Sequence, residues 1–154
     1  MRIALLLLFA ASVAGCGGAA ARFIDDARQA NAQADALLRS GDSGRAAQVL
    51  QELVSRPVPA GLAAQDRRAL LQDVYARLAE LALADGKSSQ ALRLADAGLA
   101  LGEERDVFAV SLRTLHGRAN QGLGRDTEAA RDYEAAQVIA EALLEATLEG
   151  GGAR

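Results

Sequence analysis

The chain has one cysteine, Cys16, and one histidine, His116, and each is a natural place to look for chemistry. A thiol can be a nucleophile, a metal ligand or an acylation site, and an imidazole is the group most often used for proton transfer near neutral pH. Neither has the company that catalysis needs. No second histidine or cysteine is present to complete a zinc site, the acidic residues lack calcium-loop spacing, and no G-x-S-x-G element presents a nucleophilic serine. Gly15-Cys16-Gly17-Gly18 is not a phosphate loop, because no Gly-Lys-Ser/Thr completes it. His116 is therefore expected to pack or hydrogen-bond between helices. No catalytic residue, metal or cofactor is expected, and the chain reads as non-enzymatic.

The surroundings of Cys16 are more specific. Met1 and Arg2 make a short positive start, Ile3 to Ala11 an apolar run and Ser12 to Gly15 a small-residue exit. From Ile3 to Ala14 the apolar stretch is twelve residues, well short of the ~20 that span a bilayer as a helix. Residues 1–15 thus read as a signal peptide. Val13-Ala14-Gly15-Cys16 resembles the lipobox of bacterial lipoproteins. The resemblance implies cleavage before Cys16, a diacylglycerol on its sulfur and further acylation of the new amino group. Several acyl chains make a durable anchor where one binds only marginally. Gly17 stands where enterobacterial lipoproteins retained in the inner membrane carry aspartate, so the same resemblance implies the periplasmic face of the outer membrane. An ordinary secreted chain with an unpaired thiol is the alternative.

The elements behind these residues are helical. Aromatic residues make up 3% of the 154, and alanine is abundant; this favours closely packed helices, since strands prefer aromatic and β-branched side chains. With 17 basic and 20 acidic residues and a net charge of −3, no basic stripe offers a phosphate-binding surface, and nucleic acid is not an expected partner.

A ladder of small residues recurs three times. Ala34, Gly41 and Ala46 keep the intervals of Ala79, Gly86 and Ala91, and of Gly117, Gly124 and Ala129. A small residue lets two helices approach, a glycine closes the first helix in a left-handed cap, and an alanine seats the second helix. The pattern resembles the tetratricopeptide repeat, a helix-turn-helix unit of about 34 residues. Its implied fold is all-α: a short right-handed array of three such hairpins forming an α-α superhelix over residues 22–149. Residues 16–21 are then an acylated cysteine and short tether, and residues 150–154 a flexible tail. Spacing departs from the family, since the turn glycines lie 45 and then 38 residues apart, and Leu50, Ala95 and Tyr133 occupy positions where a bulky ring is common.

Periodicity predicts a first helix from about Ala20 to Arg39, and a second that is capped by Asp42 or Ser43 and ends before Pro57. Pro57 and Pro59 mark the one clear break. The second hairpin starts near Leu62, turns at Asp85-Gly86 and continues into a helix capped by Ser88 or Ser89, with Ala91, Leu92, Ala95 and Leu99 inward. Glu103, Glu104 and Asp106 suit the start of a third pair, whose first helix carries Val107, Phe108, Val110, Leu112 and Leu115 and whose second runs from about Asp126 to Glu149.

In tetratricopeptide arrays the first helix of each pair lines a concave surface. Carried over position by position, the resemblance implies Arg28, Asn31, Asp35 and Arg39 from the first copy, Asp73 and Glu80 from the second, and Ser111, Thr114, Arg118 and Gln121 from the third. Such a polar groove of mixed charge suits an extended peptide or a partner's helix, with Arg28, Arg39 and Arg118 holding carboxylates. A solvated helix face is the alternative reading of these residues. The expected function is a membrane-anchored adaptor or assembly factor that binds another envelope protein, with self-association through alanine-rich faces open to it. A small-molecule carrier or sensor tied to a transporter is the competing expectation, and it requires a closed apolar pocket.

Overall fold

The computed structural model describes residues 16–102 and 105–151. The expected signal peptide, Glu103, Glu104 and residues 152–154 lie outside them. Six helices follow one another: α1 (Cys16–Arg39), α2 (Ser43–Val54), α3 (Ala64–Ala84), α4 (Ser88–Leu99), α5 (Val107–Gly122) and α6 (Asp126–Gly151), with no strand among the described residues. They pack as three hairpins, α1 with α2, α3 with α4 and α5 with α6. Between hairpins, α3 rests on α2, and α5 rests on both α3 and α4.

The turns repeat bond for bond. Gly41, Gly86 and Gly124 have φ of 82°, 72° and 72°, a left-handed conformation that a Cβ disfavours. One residue beyond each glycine, the amide N–H of Asp42, Lys87 and Arg125 donates to the carbonyl of Leu37, Ala82 and Asn120, at 2.9, 2.8 and 2.9 Å. These are the long-range bonds of a Schellman cap, and they satisfy carbonyls that the ending helix would otherwise leave orphaned. Three copies of one turn give the sequence ladder its physical basis.

The small residues sit where the hairpins close. Ala34, Ala46, Ala79 and Ala91 are fully buried and Ala129 is nearly so. The third copy uses glycine at position 117 for a reason of volume. Where the second copy has Ala95, the third has Tyr133, and a Cβ on Gly117 would lie 2.7 Å from the ring. A larger residue on one helix is accommodated by a smaller one on the other. Gly98 does the same between α4 and α5, where an added Cβ would meet Leu112 at 2.6 Å.

Around these contacts the core is continuous. Ala27, Ala34, Leu50 and Leu53 of the first hairpin cluster with Val74 and Leu78 of α3, and Ala76 and Ala79, also on α3, cluster with Leu112 and Leu115 of α5. The central helix is therefore apolar over most of its circumference, as an interior helix must be. Leu50, Leu53 and Leu112 are each less than 2% exposed, and burial of each contributes ~1.5–3 kcal/mol.

Four local readings differ from expectation. α1 (Cys16–Arg39) is helical ahead of the expected start near Ala20, so the residues assigned to a tether are helical. The proline-containing connection folds back, and Leu62 with Val58 covers Ala20 and Phe23, giving the first turns of α1 a surface to pack on. Lys87, not Ser88 or Ser89, caps α4, and it does so without a side-chain bond. Ser88 instead lies against α5, where a Cβ on Gly122 would fall 2.3 Å from its Oγ. Val107 is 65% exposed, because it opens α5 beside the N-cap Asp106, whose carboxylate accepts from the N–H groups of Phe108 and Ala109 at 3.0 and 2.9 Å. α6 runs on through Gly151, two residues past its expected end. Asp42 caps α2 as expected, accepting from the Arg45 N–H at 3.1 Å.

A buried polar pair on α3 holds the α4–α5 connection. Gln72, 1% exposed, donates to the carbonyls of Gly98 and Gly102 at 3.2 and 3.1 Å. Arg68 pairs with Asp106 at 3.2 Å. Gly102, at φ 154°, passes so close that a Cβ there would meet the Arg68 stem at 2.8 Å.

Candidate interaction cleft

Asp73, Arg77 and Glu80 recur along α3 at three- and four-residue intervals, as do Ser111, Thr114 and Arg118 along α5, so each set forms one row on its helix. With Ala76 and Leu115 between them, the two rows line a cleft of about 400 Å³. Five of the ten sequence-predicted residues meet there: Asp73, Glu80, Ser111, Thr114 and Arg118.

Arg77, which sequence reasoning missed, joins this cleft to the first hairpin. Its Nη1 donates to Asn31 Oδ1 at 2.9 Å and its Nη2 pairs with the Asp35 carboxylate. Two more predicted residues, Asn31 and Asp35, are thereby connected to the α3 row. A periodicity argument has no means of finding this link, since the partners are 46 and 42 positions apart.

The remaining three do not line the cleft. Arg28 is turned along its own helix to Asp25, at 3.2 Å, and is largely exposed. Arg39 is exposed at the end of α1. Gln121 faces α6, accepting a hydrogen bond from the Tyr133 hydroxyl at 3.1 Å.

The charge balance of the cleft follows from these pairings. Arg77 is committed to Asp35, whereas Asp73, Glu80 and Arg118 make no side-chain hydrogen bond or ion pair among the described residues. Two free carboxylates on α3 thus face one free guanidinium on α5. Asp73 has its pKa raised above 3.8, chiefly because burial disfavours the charged form; Arg77 works in the opposite direction and Asp35 adds to the rise. Thr114 spends its hydroxyl proton on the Val110 carbonyl at 2.8 Å. The arrangement can receive donors or cations along α3 and a carboxylate at Arg118.

His116 lies apart, clamped between helices. Its Nδ1 is 2.7 Å from Asp132 on α6 and its Nε2 is 3.0 Å from Asp96 on α4, while Asn120 also donates to Asp132 at 2.9 Å. The ring ties three helices together, which is the hydrogen-bonding role expected of it. Among the described residues no group of three or more His, Cys, Asp or Glu side chains is arranged to hold a metal ion, and no helix is long and apolar enough to cross a membrane. Comparison with protein-family models finds no match, and comparison with curated proteins finds none either.

Proposed function

We propose that this chain is a non-enzymatic, lipid-anchored adaptor of the bacterial cell envelope, a short tetratricopeptide-like array whose α1–α3–α5 face receives an extended segment or helix of another envelope protein. The observation that carries this reading is the open cleft of unspent polar groups, Asp73, Glu80 and Arg118, on helices already held rigid by the hairpin core. Hydrogen-bonding groups without partners on a preformed surface lose little entropy on binding. The triplicated turn supports the tetratricopeptide-like part of the reading. Acylation of Cys16 would hold the face near the outer membrane, because Ala20, only four residues on, is already buried.

The two halves of the proposal have separate tests. A crosslinked pull-down from membranes compares the native chain with one carrying Asp73→Asn, Glu80→Gln and Arg118→Ala together; the partner should be lost with helicity unchanged. Undiminished recovery removes the cleft from the account. For the anchor, Cys16→Ser should end palmitate incorporation and release the chain from the membrane fraction, and persistence of both refutes lipidation.

A further inference from the structure

A second cleft, between α5 and α6, gathers an excess of positive charge, three arginines against the single carboxylate of Glu134. Arg105, Arg113 and Arg131 converge on a space of about 420 Å³ floored by Ala135, Val138 and Ile139. None of the three arginines has an ion pair or hydrogen bond among the described residues, although the chain as a whole carries −3. Three guanidinium groups around one carboxylate leave positive charge that calls for carboxylates from outside.

The same helix supplies them in matching register. Glu134, Glu141 and Glu145 are all exposed on α6, and only Glu141 has a side-chain partner, the neutral Gln137 at 2.8 Å. We propose that the cleft is occupied by α6 of a second copy of this chain, antiparallel, with the two-fold axis passing beside Val138. Counting seven positions either way from Val138 sets Arg131 opposite Glu145 of the second copy. Within one copy α5 returns along α6 about the turn at Gly124, so Arg113 lies level with Ala135, which lines the same cleft. The two-fold brings Glu141 of the second copy to the level of Ala135, beside Arg113. Two of the three arginines of the cleft, Arg131 and Arg113, are thus answered by a carboxylate of the second copy, and the isologous symmetry makes the match twice. Ala135 and Ala142 are small enough for close approach, and Val138, 50% exposed, meets its own copy.

This pairing depends neither on the lipid anchor nor on the α3–α5 cleft. It is tested with Val138→Cys in the full chain, oxidised in membranes and mapped by peptide mass. A disulfide joining position 138 of two copies is expected, whereas Leu148→Cys, at a position 69% exposed, should give none. Adding Arg131→Glu should lower the Val138→Cys product at least about tenfold, and adding Glu145→Arg to that should restore it. No bridge through position 138, a bridge indifferent to Arg131→Glu, or a loss that the charge swap fails to restore would each overturn the proposal. So would binding of anionic vesicles or of a foreign acidic protein through the arginines without the 138–138 bridge.

Discussion

Replacing Gly117 by alanine should destabilise this protein, although the same change in an exposed helix stabilises one. The added Cβ would lie 2.7 Å from Tyr133 Cε1 and 3.0 and 3.1 Å from two further ring atoms. To restore an ordinary carbon contact of ~3.5 Å the ring must retreat by about 0.8 Å. It cannot do so freely, because Ala129, Ala136 and Ile139 on the same helix are already buried. Overpacking of this kind costs ~1–3 kcal/mol, and the helix preference for alanine over glycine returns up to ~1 kcal/mol. The net expectation is a loss of about 1 kcal/mol, or ~3–5 °C in Tm for a domain of this size. Urea unfolding followed by far-UV circular dichroism measures it, and a double-mutant cycle isolates the cause. With Tyr133→Ala already in place the clash is gone, so the same Gly117→Ala change should stabilise by up to ~1 kcal/mol. Equal stabilisation in both backgrounds would refute the volume-compensation argument.

Three further outcomes follow from individual residues. Gly86→Ala should cost ~1–2 kcal/mol through its left-handed backbone alone, since a Cβ there meets no atom within 4 Å; thermal melts should show asparagine at this position to be less harmful. For Asp73, the folded chain holds a proton more tightly than the unfolded one, so stability falls as pH rises from 3.8 through the raised native value. Asp73→Asn should flatten that part of a stability-against-pH curve and give higher stability at neutral pH, and an unchanged slope would count against the burial of this carboxyl. His116→Ala should lower stability by ~1–3 kcal/mol in chemical denaturation, mainly by removing a partner from the Asp132 carboxylate, while Asp96→Asn should do much less because the Asp96 side chain is 61% exposed.

Local chemistry made much of the fold legible. The ladder of Ala34, Gly41 and Ala46 and its two repeats corresponds to buried contacts and left-handed turns, because both are imposed within a few residues of sequence. What escaped was decided at long range. The first turns of α1, at Ala20 and Phe23, pack on Leu62 and Val58 folding back from another segment, and Ser88 gives up capping to α5 packing. The cleft was half legible for the same reason. The tetratricopeptide resemblance implies Asp73, Glu80, Ser111, Thr114 and Arg118, and these line the α3–α5 cleft. The resemblance is blind to Arg77 reaching α1 and to Arg28 turning back to Asp25. Arg68 and Gln72, buried polar residues that hold a loop, resemble ordinary surface positions when only their own helix is considered.

The proposed adaptor function turns on which face meets the partner. A photoreactive amino acid placed at Ser111, in the α3–α5 cleft, and in a parallel experiment at Gln48, on the exposed side of α2, answers that in intact cells. The account predicts a discrete crosslinked product from Ser111 that disappears with Asp73→Asn and Glu80→Gln, and none from Gln48. A product from Gln48 alone, or one from Ser111 indifferent to those two carboxylates, would contradict it.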